Sequence, residues 1–440
     1  MIVILGGGPA GRLASIRLAS AGKQVTLIEH GGIGGQCLHS GCMPVCALND
    51  VARLIHSAQE LRNLGVIDSV PVPDFPVLLK KMGEIQQKIT SILDEETRSA
   101  GVDIIYGKTG RLSGGTAYAG DEQLKSEAVI AATGSHPYIP AIPGVNLPGV
   151  FTSRTLPGMK KLPATMVIIG GSVVAAEFAY IFSSFGCDVT ILSRSAFLKD
   201  ADKHIRTLAI KELEGVTIHE NRPVTSIGGK SQAESVLTPG GPVVADAVFL
   251  ATGLVPNSGV LDGVNKGPLG EVIVDNRMRT SVADVYACGD VVGPPYLTPV
   301  ARHQGIVAAD NILGIPRTMD YKNIPRSINL THELAYCINE SEGVGSLAIP
   351  GPAGPGSFWS VPTGQTGLAK VIFNPDSGEL AGICAAGPGG GLIAGYMAFL
   401  MKKHFSVHDF EEFIEVHPST DGVYGLAKYA SSVIKKRNKT

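Results

Sequence analysis

The chain opens with a run of apolar, mostly β-branched residues, Ile2-Val3-Ile4-Leu5, that passes straight into the glycine cluster Gly6-Gly7-Gly8-Pro9-Ala10-Gly11. An apolar-faced segment continues through Ala21, and a second short run, Val25-Thr26-Leu27-Ile28-Glu29, follows it. A short apolar run bounded by glycine reads as a buried strand, and the apolar-faced segment after it as a helix packed on that strand. The same order returns at 166–193, with MVII, the turn GGSVVA, a helix to Phe185 and the strand VTILS. From Gly6 to Glu29 and from Gly170 to Ser193 the separation is 23 residues in both copies. Two strand–turn–helix–strand units of the dinucleotide-binding kind therefore lie in tandem. AATGSHP (131–137) and LATGLVPN (250–257) each follow an apolar strand and predict the crossings into and out of a second unit inserted in the first. Further on, GLAKVIFNPDSGELAGICAAG (367–387) predicts two strands joined at NPDSG.

The turn residues set the chemistry expected of each unit. Gly6 permits the tight turn, Gly8 lets the backbone approach a pyrophosphate, and Gly11 lets the helix pack on the strand. With Pro9 and Ala10 they form a helix start whose free N–H groups hold an anion. Glu29, ending the second strand, is placed to accept from a ribose hydroxyl. In the second unit Gly170, Gly171, Ser172 and Val173 form the turn, with Ser172 and Ala175 in the second and third glycine places. Ser193 replaces the strand-end acid, followed by Arg194 and, a short loop later, Lys199. A hydroxyl and two cations accept a 2′-phosphate that a carboxylate would repel, which favours NADPH over NADH. Thr133, Gly134 and Gly253 belong to the two crossings. In VYACGDVVG (285–293), Gly289-Asp290 ends a strand, and Asp290 reads as an acceptor for a hydroxyl-rich flavin side chain.

Composition narrows the class. The 440 residues are 44% apolar and 17% charged with formal net charge −2, enough for a large core divided among about three domains. Without a basic excess, nucleic acid and anionic membrane are excluded as expected partners. No presequence precedes the first strand and no stretch reaches the roughly 18 apolar residues of a spanning helix, so a soluble cytoplasmic protein is expected. Seven cysteines are no disulfide scaffold, yet three fall within ten residues, Cys37, Cys42 and Cys46, in GGQCLHSGCMPVC. A close pair of this kind points to redox chemistry or metal. No second ligand pair at zinc spacing appears, so no metal is expected.

Gly6-x-Gly8-x-x-Gly11, Cys37-x4-Cys42-x-Pro44, the ATG segments, Gly289-Asp290, LTPVA (297–301) and His417-Pro418 together resemble the two-cysteine flavoprotein disulfide reductases, the family of dihydrolipoamide dehydrogenase and glutathione reductase, over nearly the whole chain. The resemblance implies an α/β protein with two Rossmann-like domains, the second inserted in the first, and a C-terminal α+β dimerisation domain. The FAD domain is expected at 1–140 and 250–318, the nicotinamide domain at 141–249 and the interface domain at 319–440. Gly35, Gln36, Thr298 and Ala301 join the expected FAD contacts. Cys37 and Cys42 are implied to form a redox-active disulfide at a helix start, where the dipole lowers a thiol pKa. Cys42 is implied to hold a thiolate beside the flavin, and Cys37 to attack the substrate disulfide. His417, supplied by the partner subunit of a homodimer, shuttles the proton. The expected activity is electron transfer between NAD(P)H, FAD and a small disulfide or dithiol such as lipoamide. The alternative is a divergent flavoprotein without disulfide turnover: a diaphorase, an oxidase or a partner protein.

The sequence departs from that family in three places. The lysine usual four residues after the second cysteine is Cys46, read as a small buried hydrophobe, while its glutamate partner remains as Glu177. An unpaired, half-buried Glu177 is expected to have a raised pKa. The glutamate usual five residues after the histidine is Gly422, which leaves Asp421, or a backbone carbonyl, to orient His417. His39, between the cysteines, reads as a solvent-facing loop residue. No thiol follows Cys384, which disfavours large thioredoxin reductases and mercuric reductases.

Overall fold

The computed structural model describes residues 1–339, 347–354, 358, 359, 361, 362, 364 and 366–437. Three five-stranded sheets organise it. The first is wholly parallel, in the order Val285–Ala287, Ala128–Ala131, Ile2–Leu5, Val25–Glu29, Val102–Tyr106. Ile2, Val3, Ile4 and Leu5 are all fully buried, as expected of a central parallel strand with both faces covered. The second sheet, also parallel, runs Thr217–His219, Asp188–Leu192, Thr165–Ile169, Ala247–Leu250, Val150–Phe151. Between the two, Ser135–Pro137 pairs antiparallel with Leu254–Pro256, so both crossings read from the sequence meet in one two-stranded ribbon.

The third sheet is antiparallel, in the order Arg326–Asn329, Glu333–Ile338, Leu380–Gly387, Leu368–Phe373, Leu347–Gly351. Its NPDSG turn forms as expected: the Asn374 side-chain carbonyl accepts from the Asp376 and Ser377 amides at 2.8 and 3.0 Å. Helices Gly390–Lys402 and Gly422–Arg437 pack against this sheet.

Two long helices, Cys42–Asn63 and Phe75–Ser99, follow the cysteines. Asp74 caps the second by accepting from the Val77 amide at 3.1 Å. Helix Cys42–Asn63 packs on helix Val173–Ser184, which is buried along most of its length, and Phe178 of the latter meets Phe249 with ring centroids 4.2 Å apart. That packing joins the cysteine segment to the second nucleotide unit. Among the described residues no helix is long and apolar enough to cross a membrane.

Candidate active site

The first glycine turn is built by exclusion of side chains. Gly6 has φ +107°, and a Cβ there would lie 2.4 Å from the Ala132 carbonyl oxygen; a Cβ on Gly11 would lie 2.0 Å from the Gly6 oxygen. Gly8 meets the Gly35 Cα from the side its Cβ would occupy, and a Cβ on Gly35 would come within 2.6 Å of the Gly8 Cα. Helix Pro9–Ser20 makes its first internal bond from the Arg12 amide to the Gly8 carbonyl, so the Ala10 and Gly11 amides have no intrahelical acceptor. Glu29 braces this turn: one carboxylate oxygen accepts from the Gly7 amide at 2.6 Å, the other from the Gly31 amide at 2.8 Å. Beside it Glu29, Gly6, Thr133, His136 and Asn257 contribute to the wall of a cavity of about 440 Å³.

Gly289 stands against the same helix start with Ala301 beside it; Asp290 follows Gly289, and Thr298 lies one helical turn before Ala301. A Cβ on Gly289 would stand 3.0 Å from the Ala10 Cβ and 3.8 Å from that of Ala301. The Gly289 amide donates to Gln304, which in turn donates to Tyr321. Asp290 accepts from the Ser135 hydroxyl at 2.7 Å, and burial pushes its carboxyl upward. Two buried polar atoms here have no partner, the Gln36 side-chain oxygen and the Tyr296 hydroxyl. A side-chain-free cradle, a half-buried acid and two orphaned polar atoms suit a pyrophosphate-bridged, hydroxyl-rich cofactor, so the residues present fit FAD. Gly134 and Gly253 hold the crossing: the Gly134 carbonyl accepts from the Asn257 amide, and the Gly253 carbonyl from the Tyr138 amide.

The second turn has the same frame. Gly170, at φ +144°, faces the Ala251 carbonyl as Gly6 faces that of Ala132, and helix Val173–Ser184 makes its first internal bond to the Ser172 carbonyl. Ser172 is exposed and its side chain makes no capping bond. Ser193 differs from its expected role. It is 1% exposed, with its hydroxyl where a Cβ on Gly171 would fall, because the strand end tucks under the turn. Arg194, Lys199 and Asp200 are exposed on the segment that follows Ser193.

The cysteines straddle a break between helices. Cys37 lies in the short helix Gly35–His39, whereas Cys42 is the first residue of helix Cys42–Asn63. All seven cysteines are free thiols. The Cys42 Sγ lies 3.3 Å from the Thr298 Oγ1, at the first turn of helix Thr298–Ile312. The Cys37 thiol is lowered to about 6, first because Cys42 donates a hydrogen bond to its thiolate; Thr298 and the Arg302 guanidinium add to this against the cost of burial. Cys42 is pushed up correspondingly, so the pair shares one proton that rests on Cys42. In this dithiol the lowered member is Cys37, which suits it to act as the attacking sulfur. The other four thiols, Cys187, Cys288, Cys337 and Cys384, are buried and raised by burial.

Two readings of this segment are corrected. Cys46 is exposed rather than a buried hydrophobe, one helical turn after Cys42, because that side of the helix turns away from the helix packing. His39 is half-buried, its Nε2 3.1 Å from the Ile33 carbonyl, because the short helix folds it back over Gly32.

Glu177 is buried on helix Val173–Ser184, and one of its oxygens accepts from both the backbone amide and the side-chain amide of Asn329 at 3.0 Å. Burial raises its carboxyl to about 7, the Asn329 bonds offsetting only part of the cost. The cation usual in relatives is thus replaced by a neutral amide from the C-terminal sheet. Sequence reasoning missed Asn329, Arg302 and Gln304. Asn329 reaches the site from a strand that carries no motif, whereas Arg302 and Gln304 lie one and three residues past LTPVA on the same helix, the signal that could have found them.

His417 and Asp421 meet: Nδ1 lies 2.6 Å from the Asp421 carboxylate, and the imidazole is mostly exposed. A Cβ on Gly422 would fall 2.3 Å from the Pro352 carbonyl oxygen, so a glutamate has no room there and the acid stands one residue earlier. With Nδ1–H donated to Asp421, Nε2 is left with its lone pair outward.

Residues 1–305 match the family described as "Pyridine nucleotide-disulphide oxidoreductase". The chain belongs to this family. The dihydrolipoyl dehydrogenase of Bacillus subtilis (strain 168) is 29% identical over 447 residues, covering 95% of each chain. That of Acholeplasma laidlawii is 32% identical over 323 residues, 71% of this chain and 96% of its own. The solved structure of the "HOCl-induced flavoprotein disulfide reductase RclA from Escherichia coli" aligns with TM-score 0.85 at 25% identity, covering 97% of this chain and 99% of that one. As a member of the pyridine nucleotide-disulphide oxidoreductases, the protein is a flavin-dependent disulfide oxidoreductase, as the sequence motifs implied.

Proposed function

We propose that this oxidoreductase uses NADPH to reduce a small disulfide through Cys37 and Cys42, with lipoamide or a similar vicinal dithiol as the substrate class. The observation that carries the reading is the thiol pair at the Thr298 helix start, one member of it lowered to about 6. Bound FAD would supply the two-electron chemistry linking a nicotinamide to that pair. Gly6, Gly8, Gly11, Gly35 and Asp290 would hold it. Cys37 attacks the substrate disulfide as a thiolate, forming a mixed disulfide that Cys42 then resolves. His417 Nε2 accepts the Cys42 proton as that thiol attacks and passes it to a departing substrate thiolate, Asp421 bracing the ring, while the other substrate thiolate leaves with a proton from solvent. The relatives' names favour the lipoyl class.

Arg194 and Lys199, exposed beyond the buried Ser193, support NADPH over NADH. A C2 homodimer is part of the reading, since an exposed His417 dyad needs a cysteine pair from another subunit. Exposed Leu392, Phe399, Ile414 and Val416 offer apolar surface in the same C-terminal region. The separate sheets on either side of 140/141 and 318/319 support those two divisions, whereas 249/250 falls within strand Ala247–Leu250 of the second sheet. Turnover of lipoamide, glutathione disulfide and cystine with each nicotinamide tests the proposal. NADPH-linked reduction of lipoamide above the other two supports it; reduction of none with either cofactor contradicts it.

A further inference from the structure

The loop that carries Arg194 and Lys199 is tied twice to one glycine. Ser193, at its start, is sealed under the second turn, its hydroxyl where a Cβ on Gly171 would fall. Leu198, near its end, donates its amide to the Gly171 carbonyl at 2.8 Å. Arg194 follows the first tie and Lys199 the second, so each cation's Cα stands one step of about 3.8 Å from a tied residue. Between the ties the loop is held from outside. Phe197 is fully buried, and both polar groups of its backbone are taken. Its amide donates to a Glu220 carboxylate oxygen at 2.8 Å, and its carbonyl accepts from the Arg206 Nε at 2.7 Å. A terminal nitrogen of Arg206 donates to that same Glu220 oxygen, which closes a ring of three contacts. The two side chains come from different elements: Arg206 stands on helix Lys203–Glu212, capped by Asp202, and Glu220 directly follows strand Thr217–His219. Two backbone bonds tie the loop to the same segment, from the Arg222 amide to the Ser193 carbonyl at 2.8 Å and from the Asn221 amide to that of Ser195 at 3.4 Å.

We infer that Arg206 and Glu220 form a clamp that presets the Arg194–Lys199 loop for the 2′-phosphate of NADPH, and that the preference for NADPH over NADH depends on it. The inference rests on the proposed reading of that phosphate by the two cations. Its physical basis is preorganisation. Long cationic side chains on a loose loop must be ordered when a phosphate binds, and that ordering opposes binding. A loop fixed at both ends and at Phe197 has lost its backbone freedom on folding instead, so less remains to be lost with the ligand. NADH has no 2′-phosphate and does not draw on the cations, so the clamp discriminates between the two nucleotides rather than strengthening both. Arg206 itself is committed, with Nε on the Phe197 carbonyl and a terminal nitrogen on Glu220. It acts through the loop and is a positioning residue, as is Glu220.

Binding, without turnover, tests the clamp. The FAD-bound enzyme is titrated by calorimetry with 2′,5′-ADP and with 5′-AMP, which differ only in the 2′-phosphate. Wild type should bind 2′,5′-ADP more tightly. Arg206→Ala and Glu220→Ala should each reduce that advantage about three- to tenfold and leave the affinity for 5′-AMP unchanged. The second variant separates a clamp from a simple charge effect. Removing a carboxylate near a phosphate strengthens phosphate binding by Coulomb's law alone, so tighter binding of 2′,5′-ADP by Glu220→Ala would overturn the inference. The same variant decides the matter if Arg206→Ala does not fold. In a protein with Arg194 and Lys199 both changed to alanine, adding Glu220→Ala should change nothing further, and an undiminished loss there would overturn the inference too. Equal losses for the two nucleotides would do the same, since the pair would then support the whole site rather than the loop. A wild type that binds 2′,5′-ADP no better than 5′-AMP would instead overturn the reading of Arg194 and Lys199, and the inference with it.

Discussion

The two glycine turns share one frame and differ in what they let a ligand touch. In both, the first glycine has positive φ beneath the carbonyl of a neighbouring strand's end, Ala132 for Gly6 and Ala251 for Gly170. In both, the residue ending the second strand reaches the second glycine: Glu29 accepts from the Gly7 amide, and the Ser193 hydroxyl lies against Gly171. The long carboxylate leaves Glu29 partly exposed beside a cavity, while the short hydroxyl is sealed in. Under the proposed reading, discrimination in the second unit falls to the exposed Arg194 and Lys199. A strand-end residue can brace its own turn, and whether it also reads the ligand depends on its length.

The third glycine place separates the units most sharply. Gly11→Ala would drive a Cβ to 2.0 Å from the Gly6 oxygen, whereas Ala175 already sits fully buried at the matching place. Gly11→Ala should weaken FAD retention by more than about thirtyfold, the equivalent of roughly 2 kcal/mol or more of overpacking. Ala175→Gly should cost only about 1 kcal/mol of helix stability and leave FAD in place. Equal effects, read by flavin release and thermal melting, would erase the distinction.

The helices after the turns differ five residues past their N-caps, where the first has Leu13 and the second the buried Glu177. Because folding raises Glu177 from 4.5 to about 7, its favourable contribution is full below about 4.5 and is lost as pH rises through about 7. The loss amounts to about 3 kcal/mol by pH 8. Denaturant titrations should show this pH-dependent fall in wild type and its disappearance in Glu177→Gln.

At the outer edge of the second turn, Arg194→Ala combined with Lys199→Ala should weaken NADPH by about 1.5–3 kcal/mol, roughly ten- to a hundredfold, and leave NADH nearly unchanged. Equal losses would mean that the cations do not read the 2′-phosphate.

The frame of both units was legible because it is local. Gly6 and Gly170 answer to backbone crowding, and strand Ile2–Leu5 to burial on both faces; a motif within one stretch of chain encodes each. The His417–Asp421 contact was half legible, since the acid was visible and the reason for its shift, the Pro352 carbonyl against Gly422, was not. Exposure of Cys46 and burial of Ser193 and His39 depended on which side of a helix or strand end meets a distant segment. Asn329 was illegible for the same reason, as it reaches Glu177 across 152 positions of sequence.

The central claim is that electrons from the nicotinamide end on Cys37 and Cys42. Adding one equivalent of NADPH without oxygen to the oxidised, FAD-bound enzyme and alkylating at once measures it directly. The account predicts that label appears at Cys37 and Cys42, with no change at buried Cys187, Cys288, Cys337 and Cys384. Reduction of the flavin with no newly labelled thiol at Cys37 or Cys42 would contradict it.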